Sequence, residues 1–210
     1  MKLKNLKKIV VIGNSKKFVF EVKKNFKYEI LDIIPWRKIN LFLKKKKLVY
    51  DLVIICGFDF GIYKKKIKLF EQKNIYYPLR LLRKISNNKT KFVYINTQNY
   101  SSKNYTLSRY KYAKQKLAYV IDQNFKNLVT INSDLITLNK NISINSKNLS
   151  QFIFLILVRL GFLKTIEIKK IFLEIKEKLE SKFYQKQKNI KGFFLYFPRT
   201  QFLDRLLRLF

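Results

Sequence analysis

The chain has 210 residues, 48% of them hydrophobic and 16% aromatic, which is enough apolar surface to bury a real core and excludes general disorder. One cysteine, Cys56, excludes a disulfide framework or a thiolate zinc site, and the lack of any histidine removes Ser-His-Asp triads and His-metal motifs. Lysine and arginine outnumber acidic residues 46 to 13, a net charge of +33, yet 38 of the 46 are lysines scattered through a chain rich in Asn, Ile, Phe and Tyr, as AT-rich codons dictate.

In chain order, Lys8 to Gly13 is a short β-branched run ending at glycine, the pattern of a strand buried on both faces. Ser15 to Phe26 carries Phe18, Val19, Val22 and Phe26 at helical spacing, and Tyr28 to Ile33 is a second strand stopped by Pro35. Trp36 to Leu48 reads as a lysine-rich helix, and Leu52 to Cys56 as a third buried strand ended by Gly57. Lys64 to Arg83 is helical with a start or kink at Pro78. A fourth strand (Phe92 to Ile95), a helix (Ser108 to Gln123) and a fifth strand (Leu128 to Ile131) follow. Strands alternating with helices imply βαβ units and an α/β fold with a doubly wound parallel sheet of about five to six strands. Pro35 to Tyr50 leaves little room for a further strand, so one sheet edge is expected to be trimmed.

The alternation stops at about residue 140, and the chain divides into a sheet domain (1–138) and a small, mostly helical C-terminal part (139–210). The latter reads as a polar loop (Asn139 to Ser150), an apolar helix (Phe152 to Leu163), an amphipathic helix with Ile168, Ile171, Phe172, Ile175, Leu179 and Phe183 on one face, and an aromatic tail (Phe193 to Phe210). Ile9 to Ile12 is too short for a signal sequence, and the apolar helix is too short to span a bilayer and carries Arg159, so a cytoplasmic location is expected.

Four stretches between residues 8 and 136 carry a resemblance. They are Val10-Val-Ile-Gly13-Asn14-Ser15-Lys16-Lys-Phe-Val19; Tyr50-Asp-Leu-Val-Ile-Ile-Cys56-Gly57; Asn74 followed by Pro78-Leu-Arg-Leu-Leu82; and Phe92-Val-Tyr-Ile-Asn-Thr97 followed by Tyr110-Lys-Tyr-Ala-Lys114. Together they resemble the short-chain dehydrogenase/reductase superfamily, in its extended, NAD-dependent epimerase/dehydratase-like branch. The family's first turn is G-x-x-G-x-x-G; this chain keeps Gly13 and has Lys16 and Val19 at the other two places.

The resemblance implies a Rossmann-like fold, NAD or NADP as cofactor (the form not read), and a nucleotide-linked sugar as substrate, of the kind used in surface polysaccharide synthesis. It implies cofactor contacts from Gly13, Asn14, Ser15, Lys16, Cys56, Gly57 and Asn74. Asp32, 19 residues after Gly13, fits a ribose-hydroxyl acceptor or a solvated turn. Thr97, Tyr110 and Lys114 are the implied catalytic set. Tyr and Lys four residues apart share a helical face, and an ammonium near a phenol lowers its pKa so that it can move a proton at the substrate oxygen. Tyr112 and Lys116 form a second such pair, and the register stays open. Cys56 also reads as an inert buried thiol, and Trp36 and Arg37 as packing on the sheet or over a cofactor edge.

The worn glycine turn keeps open a non-catalytic descendant that binds a nucleotide or a partner. No basic, aromatic-interleaved motif is present, so specific nucleic-acid binding is not expected. A homodimer, and membrane-surface association through the basic amphipathic stretch Phe202 to Phe210, are compatible with either reading.

Overall fold

The computed structural model describes residues 6–13, 15–44, 48–62, 65–97, 109–133, 135–138, 141–142, 156 and 165–181. The β-branched runs become strands β1 (Lys8–Ile12), β2 (Ile30–Ile34), β3 (Leu52–Ile55), β4 (Lys91–Thr97) and β5 (Leu128–Ser133). They form one five-stranded sheet in the order β2-β1-β3-β4-β5, with every neighbouring pair parallel. Side chains alternate across a strand, so an apolar run without polar gaps must be covered on both faces. Ile9, Val11, Leu52, Ile54, Val93 and Ile95 enter one core, and Val10, Ile12, Val53, Ile55, Phe92 and Tyr94 the other.

The first core is closed by α1 (Lys16–Asn25) and α6 (Ile168–Glu180), the second by α2 (Ile39–Lys44), α4 (Tyr77–Ile85) and α5 (Arg109–Asn124). This is the three-layer α/β arrangement expected from the sequence, with β2 as the trimmed edge. After β2 the chain makes a 3-10 turn (Trp36–Lys38) and enters α2. The helix before β4 is one run made of α3 (Ile67–Glu71), a π turn (Gln72–Tyr76) and α4. Pro78, which has no N–H to give, stands in the first turn of α4, and the widened π turn ends just ahead of it.

α6 is the amphipathic helix read from the sequence, but its apolar stripe lies on the main sheet beside α1. Phe172 packs on Phe18 with ring centroids 4.9 Å apart, and Lys91 Nζ donates to the Leu179 carbonyl at the helix end (3.3 Å). A second, small sheet was not anticipated. It pairs β6 (Leu135–Leu138) antiparallel with β7 (Asn141–Ile142) and parallel with β8 (Thr165–Glu167). Strands of two to four residues carry too few alternating positions to show a period, and β7 falls inside the stretch read as loop. The apolar helix (except Ile156), most of that loop and the aromatic tail lie outside the described residues. Among the described residues no helix is long and apolar enough to cross a membrane.

Candidate active site

β1 leads to β2 on one side, and the chain returns on the other side of β1 as β3. In such sheets ligands bind beyond the carboxyl ends of the strands where the order reverses. Gly13 and Gly57 stand there. Gly13 has φ +140°, and a Cβ on it would lie 2.8 Å from Cys56 Sγ and 3.1 Å from the Gly57 nitrogen. Only glycine lets the ends of β1 and β3 approach this closely. Ser15 caps α1 by accepting from the Phe18 N–H (3.4 Å), and Lys16, the first helical residue, is exposed. Val19, in the place of the family's third glycine, is buried in the first core. Asn14 lies outside the described residues.

At the β3–β4 end stands Lys114, on α5. It is 5% exposed, and its Nζ donates to the Ile95 carbonyl (2.7 Å) and lies 4.7 Å from the centroid of the Tyr94 ring. The Tyr94 hydroxyl donates to the Lys114 carbonyl (2.9 Å), so β4 positions both ends of this residue. Burial lowers the Lys114 amine from 10.5 to about 8, and Cys56 pulls the other way. Burial pushes the Cys56 thiol up to about 12, which fits the inert reading. Tyr110, one turn before Lys114, packs edge-on to Phe58 (4.6 Å). Burial holds its phenol above the ordinary range, opposite to the lowering expected from a neighbouring ammonium. The cause is burial of the phenol; the Lys114 ammonium, for its part, donates to Ile95. Thr97 is the last residue of β4, opposite Ser133; its hydroxyl is outside what the structure describes.

The β1–β2 end is built differently. The Trp36 indole lies against Gly57, where a Cβ would come within 2.4 Å of Cε3. Its Nε1–H donates to Asn74 Oδ1 (3.0 Å), which also accepts from the Asp59 N–H (2.9 Å), while Asn74 Nδ2 donates to the Asp59 carbonyl (3.3 Å). Asn74, inside the π turn, is thus a clip between two loops. Asp59 Oδ1 accepts from Arg37 Nε (3.0 Å) and the Gly61 N–H (2.9 Å). Asp59 was missed from the sequence; the G-x-D-x-G pattern Gly57–Gly61 is the signal that marks its turn. Asp32 is not brought to this cluster. It sits midway along β2, opposite Val10, and accepts from the Tyr50 hydroxyl (2.5 Å).

The second Tyr/Lys pair is engaged elsewhere. Lys116 Nζ donates to Tyr112 Oη (2.7 Å) and Glu71 Oε1 (2.8 Å), and Tyr112 donates to the same Glu71 oxygen (2.5 Å). This triangle fastens α5 to α3 and holds the Glu71 carboxyl below its usual range through its bonds to Lys116 and Tyr112.

The parallel order and the glycines at the switch point define a Rossmann-like α/β fold, the fold of the short-chain dehydrogenases/reductases. Solved structures bear this out. The chain is similar to the Helicobacter pylori ADP-L-glycero-D-manno-heptose-6-epimerase (11% identity, TM-score 0.58, 87% of this chain and 77% of that one). It is also similar to a short-chain dehydrogenase/reductase superfamily protein from Agrobacterium tumefaciens with bound NAD (9%, 0.55, 83% and 74%). A third likeness is to RMD from Pseudomonas aeruginosa complexed with NADPH (11%, 0.52, 82% and 73%). No family model and no curated protein matches the sequence.

The residues that would hold a dinucleotide are the Gly13 turn with Ser15 and Lys16, and Lys114 beyond β4. The Lys114 ammonium has three donors, one of them given to the Ile95 carbonyl, so it keeps donors suited to a ribose hydroxyl. At the other end Trp36 stands over Gly57.

Proposed function

We propose that the chain is an NAD(P)-dependent oxidoreductase, epimerase or dehydratase acting on a nucleotide-linked sugar, of the kind used to build surface polysaccharides. One observation supports it most: Lys114 is buried as an amine at the carboxyl edge, next to Cys56 and one turn from Tyr110. A buried lysine amine is expensive to keep, and strongly shifted groups gather where chemistry is done. The similar structures named for a heptose epimerase and for complexes with NAD or NADPH agree with this reading.

When bound, a dinucleotide would supply hydride chemistry; Lys114 would donate to its ribose, and Ser15, Lys16 and the Gly13 turn would hold its phosphates. Tyr110, whose phenol burial keeps protonated, gives its Oη proton to the substrate carbonyl oxygen, and Thr97 bonds the same oxygen. The 139–210 region contributes the substrate side.

A second reading, a non-catalytic nucleotide-binding descendant, is favoured by Lys16 and Val19 in the glycine places and by Trp36 over Gly57. Calorimetry with each dinucleotide at low and high salt, followed by turnover of nucleotide sugars, separates the two. Saturable binding that survives salt, with turnover, supports the enzyme. Binding without turnover supports the descendant. Attraction that vanishes with salt reflects only the +33 charge and removes both.

A further inference from the structure

Trp36 combines three features that ordinary core packing does not require together. It stands at the switch point, with its six-membered ring against Gly57 and close to where Gly57 meets Gly13 Cα (3.1 Å from the missing Cβ). Its seat is made to measure, because Gly57 has no side chain to yield and the indole is only 6% exposed. Its N–H is received by the oxygen of Asn74, a residue fixed by the Asp59 backbone on a π turn, the kind of irregularity found at functional sites. A flat bicyclic aromatic ring with one N–H donated to an amide oxygen is what a purine would present in the same place. The trimmed sheet supplies the reason. β2 is the edge strand, and Trp36, two residues after it, turns back into the second core and against Gly57 at the strand ends.

We propose that Trp36 fills the adenosine half of the crevice as an intramolecular substitute for a purine, so that an adenosine-bearing ligand occupies that half only when the indole leaves. The inference rests on the dinucleotide reading above, and it makes Trp36 a determinant of which nucleotides the chain accepts. The lost glycines and the indole then belong together. Both weaken the hold on the adenosine-pyrophosphate half, and the Lys114 end carries the recognition.

Trp36 is the chain's only tryptophan, so its emission reports this seat alone. The full chain and its Trp36→Ala variant are titrated by calorimetry at high salt with AMP, nicotinamide mononucleotide and the oxidised dinucleotides. Freeing a half-site from a resident competitor removes its population penalty, so AMP is expected to bind Trp36→Ala at least about tenfold more tightly, with mononucleotide affinity unchanged. In the unmodified chain, dinucleotide is expected to shift the tryptophan emission to the red and the mononucleotide to leave it in place. Trp36→Phe, which keeps the apolar contact but not the full ring or N–H, is expected to give an intermediate gain and serves if the alanine variant does not fold. Equal AMP affinity in all forms, with no emission shift, overturns the proposal. If AMP binding improves while neither dinucleotide nor mononucleotide binds any form, the plug stands and the dinucleotide reading fails. If mononucleotide and dinucleotide bind while AMP does not discriminate, only the plug falls. If no nucleotide binds any form, both fall.

Discussion

At one end of the carboxyl edge the chain buries the amine of Lys114 against the Ile95 carbonyl; at the other it buries the indole of Trp36 against an amide that the Asp59 backbone already holds. Both residues are nearly inaccessible, and both lie next to the Cys56–Gly57 strand end. Their costs differ. An indole buries a large apolar area and needs one acceptor, whereas an ammonium has three donors and loses its hydration. The Trp36 end is therefore where the edge gains stability, and the Lys114 end is where it gives some up. Under the proposed function, the Lys114 end, where a methionine would fit with less penalty, is the one kept for chemistry.

The largest effect that tests this contrast is catalytic. Tyr110→Phe is expected to lower turnover by about 100- to 10,000-fold while leaving dinucleotide affinity unchanged, as separate kinetic and calorimetric measurements would show. If Tyr112→Phe has that effect instead, the chemistry belongs to the pair fastened to Glu71. Next come two substitutions of opposite sign. Asn74→Ala strands the Trp36 N–H and the Asp59 backbone and should cost about 1–3 kcal/mol in urea unfolding. Lys114→Met should raise stability by about 0.5–2 kcal/mol at neutral pH while abolishing turnover. A loss of stability in both variants would mean that the two ends are built alike.

A pH series sharpens the same point. Lys114 is lowered to about 8 from 10.5, so above pH 8 the unfolded chain holds more protons than the folded one, and stability rises with pH. Lys91, also lowered by burial, contributes the same sign. Cys56, raised to about 12 from 9.0, has the opposite sign and offsets the rise above pH 9. Thermal unfolding should thus show a rise between about pH 8 and 9 that Lys114→Met reduces. A flat profile in the unmodified chain would remove the buried amine from the account. The smallest change is expected for Lys116→Ala, whose half-buried ion pair with Glu71 contributes at most about 1 kcal/mol.

The strands of the sheet were legible because β1, β3 and β4 are buried on both faces, which leaves unbroken runs such as Ile9–Ile12 and Leu52–Ile55. Gly13 and Gly57 were legible as breaks at strand ends, and the Tyr110–Lys114 turn as a spacing. The clip joining Trp36, Asn74 and Asp59 was not, because its hydrogen bonds span 38 and 15 residues and no local period signals them. Asp32 shows the converse. Its distance from Gly13 suits a ribose acceptor, but the Tyr50 hydroxyl meets it first, a pairing visible only once β2 lies beside β1. The raised phenol of Tyr110 was hidden for a similar reason: spacing sets which face a lysine shares, but not where its amine turns.

The helix α6 lies on the same face as α1, yet the chain reaches it more than a hundred residues later. During synthesis the apolar side of β1, β3 and β4, with Phe18 and Val22 above it, stands half covered until residues Ile168 to Leu179 have been made. At ribosomal speeds of about 5–20 residues per second, that interval is on the order of ten seconds. A nascent chain of this kind offers a sticky surface to holdase chaperones and to its neighbours on the polysome, and its yield in the cell depends on how quickly the last amphipathic turn arrives.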